Sequence, residues 1–150
     1  MPIPPMKYSQ DGISLTKGFE TCPLKAYQKI VGGKLDVPTI AYGHTRGVVM
    51  GMTCTQAQAD AWLVEDIAWA EAEVNKQIHV PLTQGEFDAL VDFTFNCGAG
   101  NFDHSTLLSL VNNGNMSAAA LEFDKWDHSG GQVVAGLLRR REVETQTFNS

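Results

Sequence analysis

The stretch from Thr55 to about Ile78 constrains this chain most. Ala59, Leu63, Ile67, Ala70 and Val74 recur there at helical spacing, and Thr55 can cap the first turn. A helix of that length can connect two lobes, so it divides the chain into an N-terminal and a C-terminal part. Before it, Ser9 and then Gln10 to Phe19 read as a short helix. Ile13, Leu15 and Phe19 lie loosely on one face, Gly12 and Gly18 weaken the pattern, and Glu20 falls at or just beyond the end. The character then changes to Tyr27, Ile30 and Val31, a Gly32-Gly33 pair, and Val37, Thr39, Ile40 and Tyr42. β-branched and aromatic residues on either side of a glycine pair predict a hairpin closing at Gly43.

After the long helix, Pro81 interrupts the chain, and Thr83 with Glu86 forms a capping-box signature ahead of Phe87, Leu90, Val91 and Phe95. Gly98 and Gly100 are expected to end that core helix. Ser105 can cap a helix carrying Leu107, Leu108 and Val111, and Ser117 another running through Leu121 and Phe123. Gly130-Gly131 marks a loop, and helical patterning resumes from Leu137 to Phe148. The expected architecture is α+β, one domain over residues 1–150. Its β-containing lobe covers about 20–54, the remainder is helical, and a cleft between the lobes would suit an extended polymer.

Composition excludes several alternatives. At 150 residues, 43% hydrophobic and 19% charged, the chain is apolar enough to fold around one core. No apolar run approaches the roughly 20 residues of a membrane span. Met1-Pro2-Ile3-Pro4-Pro5-Met6-Lys7 lacks the apolar segment of a signal peptide, so a cytoplasmic protein without stable membrane association is expected. Cys22, Cys54 and Cys97 are odd in number and match neither zinc-finger nor CxxC spacing. Buried free thiols are expected, and neither a metal nor an organic cofactor is implied. A net charge of −6 and a pI of about 5.1 argue against nucleic acid as a partner. Arg139, Arg140 and Arg141 form the only dense cationic cluster, and charge alone reads them as a solvated helix surface.

Cleaving a glycosidic bond needs a proton donor for the leaving oxygen and a second group that activates water or stabilises developing positive charge. Glu20, at a predicted helix end beside Phe19, could be the donor, but spacing alone does not distinguish it from a solvated helix terminus. Longer blocks of sequence do. Lys25-Ala26-Tyr27, the run Pro38-Thr39-Ile40-Ala41-Tyr42-Gly43-His44-Thr45, and Phe95-Asn96-Cys97-Gly98 are three of them. Phe102 with Ser105-Thr106, and Gly136-Leu137 with Arg140-Arg141 after it, complete the set. In this order they resemble the phage-type lysozymes, glycoside hydrolase family 24, from about Gly12 to Phe148.

The resemblance implies a lysozyme-like fold and an active site of a Glu ending the first helix with an Asp and a Thr on the hairpin. Glu20 and Thr39 match. Where the family places its Asp this chain has Gln28 and Lys29, and Gly32-Gly33-Lys34-Leu35 is inserted before Asp36, the only acid between Glu20 and Asp60. Asp36 is therefore expected to take over the role, although an exposed turn aspartate reads identically. The resemblance pairs His44 with Asp66 as scaffolding and sets Arg140 against the catalytic Glu. It makes Ser105 and Thr106 substrate contacts, where helix capping explains Ser105 equally well. Trp62, Trp69 and Trp126 could stack on sugars; for the first two, core packing in the long helix is the favoured use.

The implied activity is that of a phage endolysin hydrolysing the β-1,4 bond between N-acetylmuramic acid and N-acetylglucosamine of peptidoglycan for host cell lysis. Inversion at the anomeric carbon is implied too, with carboxyl groups roughly 6.5–9.5 Å apart. A monomer made in the host cytoplasm, reaching the periplasmic wall with the help of a holin, completes the expectation. Two alternatives stay open on the missing Asp: a lytic transglycosylase needing one Glu, and a non-catalytic wall-binding or phage structural module.

Overall fold

The computed structural model describes residues 3–129 and 131–150 and shows two compact units, Lys17–Ala68 and Met1–Thr16 with Trp69–Ser150. Helices α1 (Gln10–Phe19) and α2 (Gln56–Gln77) each run from one unit into the other. Thr55 caps α2 as expected: its hydroxyl accepts from Gln58 N at 3.1 Å, while Gln58 Oε1 accepts from Thr55 N at 2.9 Å.

Within Lys17–Ala68 the predicted hairpin is present but short. Strands β1 (Ile30–Val31) and β2 (Lys34–Leu35) pair antiparallel about Gly32-Gly33, whose positive φ angles of 59° and 79° suit a tight hairpin turn. Farther down, Tyr27 pairs with Thr39 and Ile40 with His44 as isolated bridges. The return strand carries one more residue than the outgoing strand between the Ile30/Leu35 and Tyr27/Thr39 pairs, so the ladder is offset near Val37-Pro38. The apolar hairpin residues do not enter a core: Ile30, Val31, Leu35 and Val37 are all exposed. The core of this unit is instead Ala26, Ile40, Ala41, Val48 and Ala59, with Cys22, Tyr42, Met52, Cys54 and Trp62 packed against it.

In the other unit, α3 (Gln84–Cys97) opens with the predicted Thr83/Glu86 capping box and buries Phe87, Leu90, Val91 and Phe93. Phe93 meets Phe102, Phe123 and Trp126 edge to face, and Phe123 meets Phe148 of α7 (Ala135–Phe148) in the same way. Gly98, at φ 94°, ends α3, but Gly100 does not end anything: it lies inside a short helix, α4 (Ala99–Asp103). Ser105 caps α5 (Thr106–Asn112) as predicted. Ser117 does not cap. Asn115 does, its side chain accepting from Ala118 N, and α6 (Met116–Ala120) stops before Leu121 and gives way to a 3-10 turn at Phe123–Trp126. The expected loop contains a small hairpin, β3 (His128–Ser129) with β4 (Gln132–Val133); Gly130 lies outside the described residues.

Three further expectations change. Trp69 is 45% exposed rather than packed in a core. The thiols are free but only half-buried. Arg139 is solvated, whereas Arg140 and Arg141 are buried, because partners distant in sequence, Asp92 for the first and Asn96 and Cys97 for the second, receive them.

Candidate active site

Three of the predicted site residues lie in the Lys17–Ala68 unit near one open depression, lined by Thr21, Cys22, Pro23, Tyr27 and Lys29. Glu20 is half-buried in the bend after α1 and directly precedes Thr21. Thr39 is half-buried opposite Tyr27, with reciprocal backbone hydrogen bonds of 2.8 and 2.9 Å. The depression is thus lined by the residue that follows Glu20 and by the bridge partner of Thr39. The Thr39 hydroxyl donates to Val37 O at 3.2 Å, which leaves its lone pairs able to accept from a water.

Asp36 is exposed, and its main-chain N–H donates to Lys29 O at 2.8 Å. One carboxylate oxygen accepts from Val37 N at 2.8 Å, and Gln28 Nε2 donates to its carbonyl at 3.2 Å. Gln28 and Lys29, the two residues at the expected place of the acid, are thus both tied to the backbone of Asp36. The second oxygen of Asp36 is the one with capacity for a water or a sugar hydroxyl.

The floor of this unit is fixed by His44 and its partners. The imidazole is buried, places Nδ1 2.7 Å from Asp66 Oδ2, and stacks on Trp62 at 4.4 Å with the planes 4° apart. Asp66 also accepts from Arg46 Nη2 at 3.3 Å. The turn between Ile40 and His44 carries Ala41 at φ 56°, a left-handed conformation uncommon outside glycine. Ala41 N donates to Pro23 O at 2.7 Å, which ties this turn to the segment just after Glu20.

A neighbouring cluster had no distinct signature in the sequence. Gln56, the first residue of α2, donates to the Tyr42 hydroxyl at 3.1 Å and to Asp60 at 2.9 Å, and Asp60 pairs with Lys17 at 3.0 Å. The hydrogen bond from Gln56, then that from Lys17, holds the Asp60 carboxyl below its usual range.

In the second unit, Arg140 donates from Nε and Nη2 to the two oxygens of Asp92 at 2.9 and 2.8 Å. Thr16 Oγ1 donates to Asp92 at 2.8 Å as well. Arg141 pairs through Nε with Glu144 at 2.9 Å, too poorly aligned for a hydrogen bond, while its Nη2 donates to Asn96 at 2.5 Å. Burial would raise the Asp92 carboxyl, but hydrogen bonds from Glu144 and Arg140 override it and hold Asp92 below the ordinary range. Burial, and after it the bond to Asp92, pushes Glu144 well above its ordinary value. The two carboxyls are therefore pushed in opposite directions, Asp92 toward its ionised form and Glu144 toward its protonated one. Asp88 and Asp92, spaced i,i+4 among the apolar residues of α3, were the sequence signal that could have revealed it.

Ser105 donates to Phe102 O at 2.7 Å and accepts from Leu108 N at 3.0 Å, so its hydroxyl is occupied by the cap; Thr106 beside it is exposed. Among the described residues no group of three or more His, Cys, Asp or Glu could hold a metal ion, and no helix is long and apolar enough to cross a membrane.

Residues 17–144 match the profile of the phage lysozyme family. The endolysin of Acyrthosiphon pisum secondary endosymbiont phage 1 is 42% identical over 149 residues, covering 97% of this chain and 99% of that protein. The endolysin of Bacillus phage PZA is 43% identical over 146 residues, again covering 97% of this chain, but the chain spans only 56% of that relative's length. Among solved structures, the muramidase domain of SpmX from Asticcacaulis excentricus superposes with a TM-score of 0.87 at 38% identity, covering 96% of this chain and 98% of that one.

Proposed function

The chain belongs to the phage lysozyme family, and from that premise we propose that it is a phage endolysin hydrolysing the β-1,4 bond between N-acetylmuramic acid and N-acetylglucosamine of peptidoglycan, for host cell lysis. The observation that carries the reading is a depression lined by Thr21, which follows Glu20, and by Tyr27, which pairs with Thr39, within a segment the family match spans. In this reading Glu20 protonates the leaving oxygen, while Thr39 and the outer oxygen of Asp36 hold the attacking water. Attack on the face opposite the leaving group inverts the anomeric carbon. His44, Asp66 and Trp62 keep the turn beside Thr39 rigid, and Thr106 is a candidate substrate contact.

The same proposal takes residues 1–150 as one catalytic domain. It takes the enzyme as a monomer made in the host cytoplasm that reaches periplasmic peptidoglycan when a holin opens the membrane.

A second reading rests on a specific observation: one oxygen of Asp36 is committed to Val37 N, and Gln28 and Lys29 stand where the family acid is expected. A lytic transglycosylase would need Glu20 alone and would leave an anhydro ring rather than a reducing end. The test is digestion of purified peptidoglycan by wild type, Glu20→Gln and Asp36→Asn, with reducing ends counted and anhydro products separated by mass. Reducing ends from wild type, with losses of about a hundredfold or more in both variants, support the acid-base pair. Anhydro products, or a fully active Asp36→Asn, would remove Asp36 from the mechanism. An inactive wild type would leave a wall-binding module.

A further inference from the structure

The β1–β2 hairpin carries an unpartnered apolar face whose position is set by its register. Ile30 and Leu35 are cross-strand partners, so their side chains share one face. Val31 and Lys34 are partners on the opposite face, joined there by Lys29 and Asp36, whose backbones meet at 2.8 Å. Within the unit nothing covers either face: Ile30 is 74% exposed, Leu35 66% and Val31 60%. Hairpins that lie on a core alternate buried and exposed residues; this one exposes apolar side chains on both faces.

The charge around it has one sign. From Thr21 to Leu35 the chain holds Lys25, Lys29 and Lys34 and no acidic residue, in a protein with a net charge of −6. None of these lysines forms an ion pair among the described residues. Aliphatic side chains at the tip of a hairpin, flanked by lysines without a carboxylate partner, of which Lys29 lies over the Tyr27 ring at 6.0 Å, match a surface that is apolar below and anionic above. A second copy meeting the hairpin on its Val31/Lys34 face would bring Lys29 and Lys34 against their own copies. A glycan strand offers no apolar depth for Ile30 and Leu35.

We propose that this hairpin docks reversibly onto anionic phospholipid surfaces, with Ile30, Val31 and Leu35 entering the headgroup boundary and Lys29 and Lys34 contacting lipid phosphates. The contact is interfacial and reversible, and so is compatible with the expectation of no stable membrane association. The ladder bonds between β1 and β2 keep the inserted backbone hydrogen-bonded.

The test is co-sedimentation with vesicles of equal parts phosphatidylglycerol and phosphatidylethanolamine, beside vesicles of phosphatidylcholine. Wild type, Ile30→Glu/Leu35→Glu and Lys29→Gln/Lys34→Gln would be compared, each checked for folding by circular dichroism. Binding of wild type to the anionic vesicles, weak binding to phosphatidylcholine, and a drop of at least about tenfold in both variants support the proposal. No binding of wild type to anionic vesicles overturns it, as does equal binding by the glutamate variant. Loss of self-association or of binding to purified peptidoglycan in these variants, without vesicle binding by wild type, assigns the face to a second copy or to the wall and also overturns it.

Discussion

Replacing Asp92 by alanine should be among the most destabilising single changes in this protein. Its carboxylate has no solvent exposure and accepts from Arg140 Nε at 2.9 Å, Arg140 Nη2 at 2.8 Å and Thr16 Oγ1 at 2.8 Å. The substitution removes the negative charge from beside a buried guanidinium, and breaking a buried pair of this kind costs about 3–5 kcal/mol. A domain of this size has roughly 5–15 kcal/mol in total. At about 2–4 °C per kcal/mol the expected fall in Tm is roughly 6–20 °C. Asp92→Asn keeps an acceptor for Thr16 and for one Arg140 nitrogen and should cost less. The pH dependence has a fixed sign. A carboxyl held below its unfolded value contributes stability fully above that value, about 3.9 for Asp, and loses it as the pH falls through the lower folded value. The gap between wild type and Asp92→Asn should therefore close at the acid end. Urea unfolding at pH 7 gives the magnitude through the midpoint at constant m. A change under about 1 kcal/mol for Asp92→Ala would refute the view that this carboxylate anchors α7 to α3.

Other substitutions test separate links. Glu144 is raised by burial and by Asp92, so wild-type stability declines as pH rises from the unfolded value of about 4.3 toward the folded one; Glu144→Gln removes that decline. Its Tm relative to wild type should rise between pH 4 and pH 8, and a constant difference would sink the upward shift of Glu144. In α1, Gly18→Ala meets nothing within 4 Å and should stabilise by about 0.5–1 kcal/mol, whereas a Cβ on Gly12 would lie 2.3 Å from the Tyr8 ring and should destabilise by about 1–3 kcal/mol. Urea midpoints of the same sign for both would contradict the packing. Trp62→Ala removes the ring stacked on His44 and should cost about 1–3 kcal/mol; an unchanged midpoint would show that the stack does not support the turn.

Much of the fold was legible because it rests on local chemistry. The capping boxes at Thr55 and Thr83 and the apolar periodicity of α2 are written within a few residues, and each formed where expected. The errors fall where distant partners decide. Arg139, Arg140 and Arg141 are identical in type and adjacent, yet only the first is solvated, because Asp92 receives the second and Asn96 and Cys97 receive the third. Trp69 lies on α2 at a position that periodicity cannot place, one residue from buried Ala70. At the hairpin, the glycine pair located the turn, but the return strand is Lys34–Leu35, with isolated bridges at Thr39 and Ile40 in place of a strand from Val37 to Tyr42, and propensity does not say what a strand packs against: here the apolar side chains have no core beneath them. Glu20 and Thr39 were found through blocks of resemblance rather than physics; as isolated residues, a helix-end Glu and a strand Thr are ordinary.

The disposition of charge also accounts for an acidic chain acting on anionic partners. A net −6 describes the whole molecule, but two of its most basic residues, Arg140 and Arg141, are buried and engaged with Asp92 and Glu144, so they contribute little to the field outside. Lys17, Arg46 and Lys125 are each paired with a carboxylate. The cations left to meet a partner include Lys25, Lys29 and Lys34, all within one acid-free segment that begins one residue after Glu20 and ends one before Asp36. Removing those three charges from the total leaves the remainder of the protein more acidic still. Over distances beyond the Debye length, about 10 Å at 0.1 M salt, the two fields do not average, and an anionic surface approaching the hairpin meets only its local positive sign. Net charge therefore says little about this protein's approach to a polyanion; the position of three lysines beside the catalytic candidates says more.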